Sequence, residues 1–391
     1  MRQSIELKQH AGRWLFPLIL VATLFQSYHD LSALLSDGQL ALFRYEGSII
    51  DKVGKDIIYA LLFIEILRTA KKRHTLPLVD FSVALGCLIF ALVSISIISN
   101  GLVIAMLGLR WATPFILFLM LRDWSKALDR NNTIHWLIFG MIICLGAQIY
   151  QIFNMPPVFG EFIFGIPART PGIFIAPNAG AFFACASAAL VVTLKPSGRK
   201  SNFLVVVLAL IISTLAQSGT GIITSLVLLL YLFCERSPIM FLGLALLTLV
   251  ATLSNLNVLI MREDYVEISG GGRVDVLIEI ARSSIFSVSN FGVFTNAGNL
   301  MNENPEDKLS PDSLIASWIG NFGFLSPLTL ILTVFFVKYR MKSMQWWVSA
   351  PCIVVFILFS LTTITFEAFP MNIYIAIGLW SARRSTALLK N

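Results

Sequence analysis

Long apolar stretches separated by short polar ones make up most of this 391-residue chain. A helix needs about 20 apolar residues to cross the roughly 30 Å hydrocarbon core of a bilayer. The pattern predicts about twelve such spans, the seventh, eighth and twelfth of them short, at 14–35, 49–68, 78–99, 101–121, 133–154, 173–194, 203–219, 220–234, 240–260, 314–337, 346–366 and 370–382.

The pattern therefore predicts an all-α fold, a polytopic transmembrane helical bundle that forms one integral membrane domain over residues 1–391. Composition agrees, because 57% of the residues are hydrophobic and only 13% are charged, against about 25% charged in a soluble domain. The first apolar stretch is long and lacks a small-residue cleavage site, so we interpret it as a retained span and not as a signal peptide.

One long polar segment, residues 261–313, interrupts the apolar pattern. Long ordered loops are more often functional than ornamental. Three glycines ending at Gly272 precede residues 273–286, in which an apolar face repeats at helical spacing through Val274, Leu277, Ile278, Ala281 and Ile285. This predicts an amphipathic helix on the membrane surface. Its N-terminus beside Arg273 is suited to hold a phosphate, but a flexible glycine linker explains the same residues.

The C-terminal end of this loop has the sequence features of a helix N-terminus. Ser310 is the predicted N-cap of the tenth span, with Pro311 at its first position. Asp312 then lies in the first turn, where an acidic side chain complements the helix dipole. The structural role is sufficient by itself, and a catalytic role would be additional.

The basic residues predict the orientation. They lie at the ends of apolar stretches, so the net charge of +7 indicates topology markers and not a nucleic-acid-binding patch. With the N-terminus inside, most Lys and Arg residues fall in inner segments such as 68–73, 195–200 and 338–342. The positive-inside rule then puts both termini in the cytoplasm and the 261–313 loop outside.

Two arginines lie close to or inside apolar stretches. Arg110 falls about ten residues into the fourth span, and a buried cation needs a partner or a wet cavity. A structural ion pair and a site for an anionic lipid headgroup both satisfy that need. Arg169 precedes Pro177 and Asn178, where the proline can break the sixth helix and free carbonyls for the asparagine or a ligand. An ordinary proline kink with a snorkelling arginine is the alternative.

Histidine and cysteine offer little chemistry to the outer face. The four histidines lie outside the long loop, and the five cysteines lie in or beside apolar stretches without metal-ligand spacing. We therefore predict neither a metal nor a cofactor. A proton acceptor on the outer face must then be a carboxylate, or the reaction has no general base. The carboxylate candidates are Glu161, Glu263, Asp264 and Asp312.

Three segments resemble the O-antigen ligase/polymerase superfamily. They are 169–183 (RTPGIFIAPNAGAFF), 270–281 (GGGRVDVLIEIA) and 312–328 (DSLIASWIGNFGFLSPL), within a likeness that covers roughly 100–340. Arg169 and Gly180 also match the Arg-x10-Gly pattern of O-antigen polymerases. Neither Arg273 nor Arg282 has a glycine at that distance, which is a departure from the polymerase pattern.

Two further differences favour polymerase over ligase. Ligases carry a His-Asn pair where this chain has Asp312 and Ser313. They also carry an arginine after a serine between the seventh and eighth spans, where this chain continues from Ser218 to Gly219 and Thr220.

The resemblance implies a bacterial inner-membrane polymerase for O-antigen, capsule or exopolysaccharide. It would join undecaprenyl-pyrophosphate-linked repeat units at the periplasmic face, and cations would stabilise the pyrophosphate leaving group. The implied catalytic residues are Arg169, Arg273, Asp312, Glu263 and Asp264. The implied substrate-binding residues are Arg110, Asn178, Gly180, Gly272 and Arg282.

The implied partners are the lipid-linked oligosaccharides, membrane lipids, a chain-length regulator and a flippase. Two other functions remain open, namely a ligase that transfers glycan to lipid A core and a transporter or flippase of lipid-linked oligosaccharides. A twelve-span transporter of the major facilitator type would show a Gly-x-x-x-Asp-Arg-like loop after its second span, where this chain has TAKKRH at 69–74.

Overall fold

The structure is a computed structural model. It describes residues 14–26, 28, 32, 49–71, 77–120, 128–154, 162–163, 166–167, 169–195, 198–234, 237, 241, 243–246, 248, 250, 272–287, 290–296, 311–341 and 346–381. We number the principal helices of this described part α1 (Trp14–Gln26), α2 (Ile49–Lys71), α3 (Pro77–Asn100), α4 (Leu102–Met120), α5 (Arg130–Asn154), α6 (Pro177–Leu194), α7 (Arg199–Leu215), α8 (Gly219–Phe233), α9 (Gly272–Ser284), α10 (Leu314–Phe322), α11 (Ser326–Met341), α12 (Trp346–Ser360) and α13 (Met371–Ser381). Two short antiparallel strands, β1 (Phe162–Ile163) and β2 (Ile166–Pro167), form a hairpin ahead of α6.

The helical class predicted from the apolar pattern is confirmed for the described part of the chain. Three stretches of this part have both the length and the apolar character to cross a membrane, namely α5, α6 and Leu314–Val334, which joins α10 to α11. Shorter apolar helices accompany them, including α1, α8, α12 and α13. The prediction of about twelve spans stays a prediction, and most of the span predicted at 240–260 lies outside the described residues.

Helix α6 is the centre of the bundle. It packs against α5, α7, α8, α12 and α13, and nearly all of its side chains are buried. Small residues of one face, Ala181, Ala184 and Ala188, are fully buried and let neighbouring helices approach closely. A helix that is apolar all round has no face for water, which explains its position inside the bundle.

Close packing also explains the short turn between α7 and α8. A Cβ atom built on Gly221 would lie 2.7 Å from Ala181 Cβ and 2.8 Å from Ser213 Oγ. Ser218 caps α8, because its side chain accepts a hydrogen bond from the Gly221 N–H. The small polar residues of this turn therefore act in helix packing and capping.

An aromatic cluster joins the long loop to the helices. Trp111 of α4 is fully buried and contacts Trp318, Phe322 and Phe366 with ring centroids 6.0, 5.5 and 5.6 Å away. Phe291, from the loop, packs against Phe322 at 6.2 Å. The cluster brings the loop segment 290–296 and the α12–α13 connection to the same side of α4.

Helix α9 packs on α10 through Ile280, which lies outside the apolar face predicted from the sequence. That predicted face was assigned to a membrane surface, and its residues Val274 and Ile278 are exposed. Ile280 is fully buried against Phe294 and Ala316, with Leu277 beside it. Packing against α10 selects this face, and the exposed apolar side chains remain available to a membrane surface.

Two helix starts differ from the sequence prediction. Ser313, and not Ser310, caps α10, because its side chain accepts a hydrogen bond from the Ala316 N–H at 3.1 Å. Asp312 therefore precedes the helix and does not lie in its first turn. Pro177 is the first residue of α6, so it begins the helix, where its missing N–H costs nothing, and does not break it.

Candidate functional site

A cavity of about 530 Å³ lies where the long loop meets the bundle. This volume is within the range of small-molecule sites. Its walls come from α1, α2, the start of α6, α9, the 290–296 segment, the residues before α10 and the α12–α13 connection. The polar side chains that line it are Thr23, Gln26, Lys55, Asn178, Arg273, Asn296, Asp312, Thr362, Thr363 and Glu367.

The long loop contributes its own charges to this cavity. Arg273, in the first turn of α9, and Asp312, just ahead of α10, both line it. Arg273 shares its helix face with Leu277, Ile280 and Ser284, because these residues follow it at spacings of four, seven and eleven. The packing of α9 on α10 therefore holds Arg273 at the cavity.

Arg282 lies elsewhere on the same helix. Nine residues separate it from Arg273, which corresponds to about 13 Å along the axis and roughly half a turn around it. Its side chain is exposed, and it does not line the cavity. Gly272, the first residue of α9, is also exposed. The structure thus places only one of the two α9 arginines at the site.

The segment that carries Arg169 is fixed by polar contacts from two helices. Gln148 of α5 donates to the Thr170 carbonyl at 3.0 Å, and Gln151 exchanges two hydrogen bonds with the Gly172 backbone at 2.6 and 2.8 Å. The Thr170 N–H and hydroxyl both donate to the Leu215 carbonyl at the end of α7. These bonds hold the chain against the bundle just before α6 begins.

Arg169 itself lies behind the cavity wall. Its Nη2 donates to Asn178 Oδ1 and its Nε donates to the Ala216 carbonyl, both at 3.4 Å. Asn178 lines the cavity, so Arg169 contacts a lining residue from behind. Gly180 makes the arrangement possible, because a Cβ atom there would lie 2.6 Å from the Pro171 carbonyl. Gly180 does not line the cavity, and its observed contact is close packing.

Arg110 borders a second, smaller cavity. Its Nε lies 3.1 Å from Asp56 Oδ1 in an ion pair that is partly exposed. The pair supports the first of the two interpretations of Arg110 given above, a structural ion pair. Arg110 also lines a space of about 120 Å³, so the second interpretation, a site for an anionic lipid headgroup, has structural support as well.

The two cavities share one wall. Lys55, Asn296 and Glu367 line both of them. Arg273 lines the larger space, Lys55 lines both, and Arg110, in its ion pair with Asp56, lines the smaller one. The carboxylates of Asp312 and Glu367 belong to the same lining, so the site offers cations to an anionic group and carboxylates to a proton.

Sequence reasoning missed Glu367 as a candidate. It lies in the connection between α12 and α13, and its Oε2 accepts a hydrogen bond from the Asn296 N–H at 3.1 Å. Burial raises the pKa of its carboxyl group, while the Asn296 hydrogen bonds and the charges of Lys55 and Arg110 oppose the rise. A single acidic residue between two apolar stretches, at 346–366 and 370–382, was the available signal.

The remaining carboxylate candidates, Glu161, Glu263 and Asp264, lie outside the described residues. Among the residues that the structure describes, no group of three or more His, Cys, Asp or Glu side chains is arranged to hold a metal ion. Comparison of the chain with family models, curated proteins and solved structures gives no match.

Proposed function

We propose that the protein is a bacterial polysaccharide polymerase that joins lipid-pyrophosphate-linked repeat units. A hydroxyl of one glycan attacks the anomeric carbon of a second glycan, and undecaprenyl pyrophosphate leaves. The observation that carries this proposal is the cavity in which Arg273, Lys55, Asp312 and Glu367 meet.

The charges in the cavity suit the leaving group. Departure of pyrophosphate develops negative charge, and preorganised cations near that charge lower the barrier. Arg273 supplies a guanidinium group, which can bind two phosphate oxygens at once. Lys55 of α2 adds a second positive charge to the lining.

The apolar part of the cavity suits a lipid-linked donor. Phe174, Ile175, Phe182, Phe369 and Met371 line it beside the polar groups. A lipid-linked saccharide has a polar glycan, an anionic linker and an apolar chain. A cavity that combines apolar, cationic and hydrogen-bonding walls matches all three parts.

The proposed location is the bacterial inner membrane, with about twelve spans and both termini in the cytoplasm. Apolar helices of spanning length support the membrane location, and the distribution of basic residues supports the orientation. In this orientation the loop 261–313 and the cavity it borders face the periplasm, where a lipid-linked repeat unit is presented after translocation.

Reporter fusions are expected to show this orientation. A periplasm-active reporter fused after Asn302 should be active, and the same reporter after Lys72 or Lys342 should be silent. A cytoplasm-active reporter should give the reverse pattern at all three positions. An active cytoplasmic reporter at Asn302 would put the long loop inside and remove the basis of the proposed site.

Purified protein given only lipid-linked repeat units is expected to build a ladder of polymers. Each coupling should release one undecaprenyl pyrophosphate, which is measured by lipid extraction and phosphate analysis. Boiled protein serves as the control. Absence of a ladder with folded protein and intact substrate would contradict the proposed function.

A deletion strain separates this function from the two alternatives. Loss of a polymerase leaves single repeat units, which an O-antigen system still attaches to lipid A core. Loss of a ligase leaves long lipid-linked polymer, and loss of a flippase leaves the single repeat unit on the inner face. Long unligated polymer in the deletion strain would favour the ligase.

A further inference from the structure

Glu367 lies in the wall between the two cavities. Lys55 and Asn296 are the other residues that line both spaces. A carboxylate in this position faces a ligand in either cavity. The larger cavity has room for a saccharide unit, and the smaller one lies beside Arg110.

The backbone around Glu367 is held in place on both sides. Its N–H donates to the Ile364 carbonyl at 3.0 Å, and its own carbonyl accepts from the Phe369 N–H at 2.9 Å. Asn372 of α13 donates to the preceding carbonyl, that of Phe366, at 2.7 Å. The side chain therefore extends from a fixed support and not from a free loop.

The partner of Glu367 is fixed as well. Asn296 follows a segment whose Phe294 carbonyl accepts hydrogen bonds from Ser317 Oγ at 2.6 Å and Asn321 Nδ2 at 2.9 Å. These bonds tie the segment to α10 and direct the Asn296 N–H towards Glu367 Oε2. The long loop thus orients a carboxylate that belongs to the far end of the chain.

The electrostatic surroundings of Glu367 come from four elements. Lys55, Asp56 and Tyr59 of α2 and Arg110 of α4 lie on the side of the smaller cavity, and Arg273 of α9 and Asp312 ahead of α10 line the larger cavity with it. Burial raises the pKa of the Glu367 carboxyl group, and Lys55 and Arg110 only reduce that rise. A carboxylate with a raised pKa is a stronger base than an ordinary one.

We propose that Glu367 is the catalytic base that accepts the proton of the attacking sugar hydroxyl, an inference that rests on the proposed function. The hydroxyl oxygen forms the new bond to the anomeric carbon while the bond from that carbon to the phosphate oxygen breaks. The electron pair of the broken bond leaves with the pyrophosphate. The hydroxyl proton goes to the Glu367 carboxylate, which later releases it to water.

This assignment favours Glu367 over Asp312, the sequence candidate that also lines the cavity. Asp312 is exposed, whereas Glu367 is half-buried and oriented by Asn296. Desolvation and orientation are the two properties that a general base needs, because they set its basicity and its reach.

The test is a pH–rate profile of the purified full-length protein with lipid-linked repeat units. Wild-type kcat should fall as pH falls through the raised pKa of Glu367, because the protonated group cannot accept a proton. Glu367→Gln should lower kcat by about 10²–10⁴-fold, leave KM within a few-fold of wild type and remove the acidic limb. Glu279→Gln, an exposed carboxylate on α9 that lines neither cavity, should leave rate and profile unchanged.

A second variant covers the case in which Glu367→Gln does not fold. Glu367→Asp keeps the charge but withdraws the carboxylate by one methylene, so it should keep the acidic limb at a kcat reduced at least tenfold. A wild-type kcat in Glu367→Asp overturns the proposal, as does a Glu367→Gln protein with wild-type kcat or with only a raised KM. Failure of wild-type protein to make a ladder is a different outcome, because it removes the proposed function and this inference with it.

Discussion

Replacement of Arg273 with alanine is expected to reduce the polymerisation rate by about 10²–10³-fold, the usual effect of removing one donor to a developing anion. Arg273 lines the larger cavity from the first turn of α9, and its charge is available to a pyrophosphate leaving group. The measurement is the initial rate of ladder formation by purified protein, with thermal stability recorded in parallel.

Lysine at position 273 should restore little of this rate. It keeps the charge but lacks the planar pair of donors that binds two phosphate oxygens. Arg282→Ala is the matched variant, because Arg282 is exposed on the same helix and lines neither cavity. Full-length polymer from Arg273→Ala, or an equal loss in Arg282→Ala, would remove Arg273 from the proposed mechanism.

Replacement of Arg169 with alanine is the second change expected to abolish polymer. Its guanidinium group bonds to both Asn178 and the Ala216 carbonyl, so its loss removes a cation behind the cavity and frees a lining side chain. A hydrogen bond of a charged group contributes about 1.5–3 kcal/mol to folding stability, and both bonds of the part-buried Arg169 are long, at 3.4 Å, so the protein should still fold. Polymer length in cells and initial rate in vitro measure the effect.

Two variants sharpen this second test. Arg169→Lys should recover little, because one ammonium group cannot reach two acceptors from two nitrogens in the same geometry. Arg199→Ala removes an exposed arginine at the opposite end of α7, about 24 Å away along the helix, and should leave the polymer unchanged. Wild-type polymer from a folded Arg169→Ala protein would contradict a role for Arg169 in the reaction.

Helix positions were largely predictable from the sequence. Apolar length predicted α5 and α6. Local capping was harder to predict. The sequence predicted Ser310 as the N-cap, but Ser313 caps α10, where the Leu314 N–H also donates to the Thr363 carbonyl at 3.1 Å.

The sequence alone determined where the apolar helices lie and that α6 has small side chains, because helix length and side-chain volume are local properties of the chain. It also drew attention to Arg169, Arg273 and Asp312, since charges beside long apolar stretches are conspicuous. It did not determine which charges meet. Asn296 and Glu367 lie 71 positions apart, and no periodicity relates them.

Only the tertiary structure determined that Asn296 and Glu367 come together, because this contact depends on how distant helices pack. Trp111 contacts Phe366 of the α12–α13 connection and Phe322, which in turn packs against Phe291 of the loop. The packing of α9 on α10 brings Arg273 to the cavity and leaves Arg282 outside it. Such contacts depend on side-chain shape across long sequence separations. For that reason the local pattern could not distinguish the two arginines or identify Glu367.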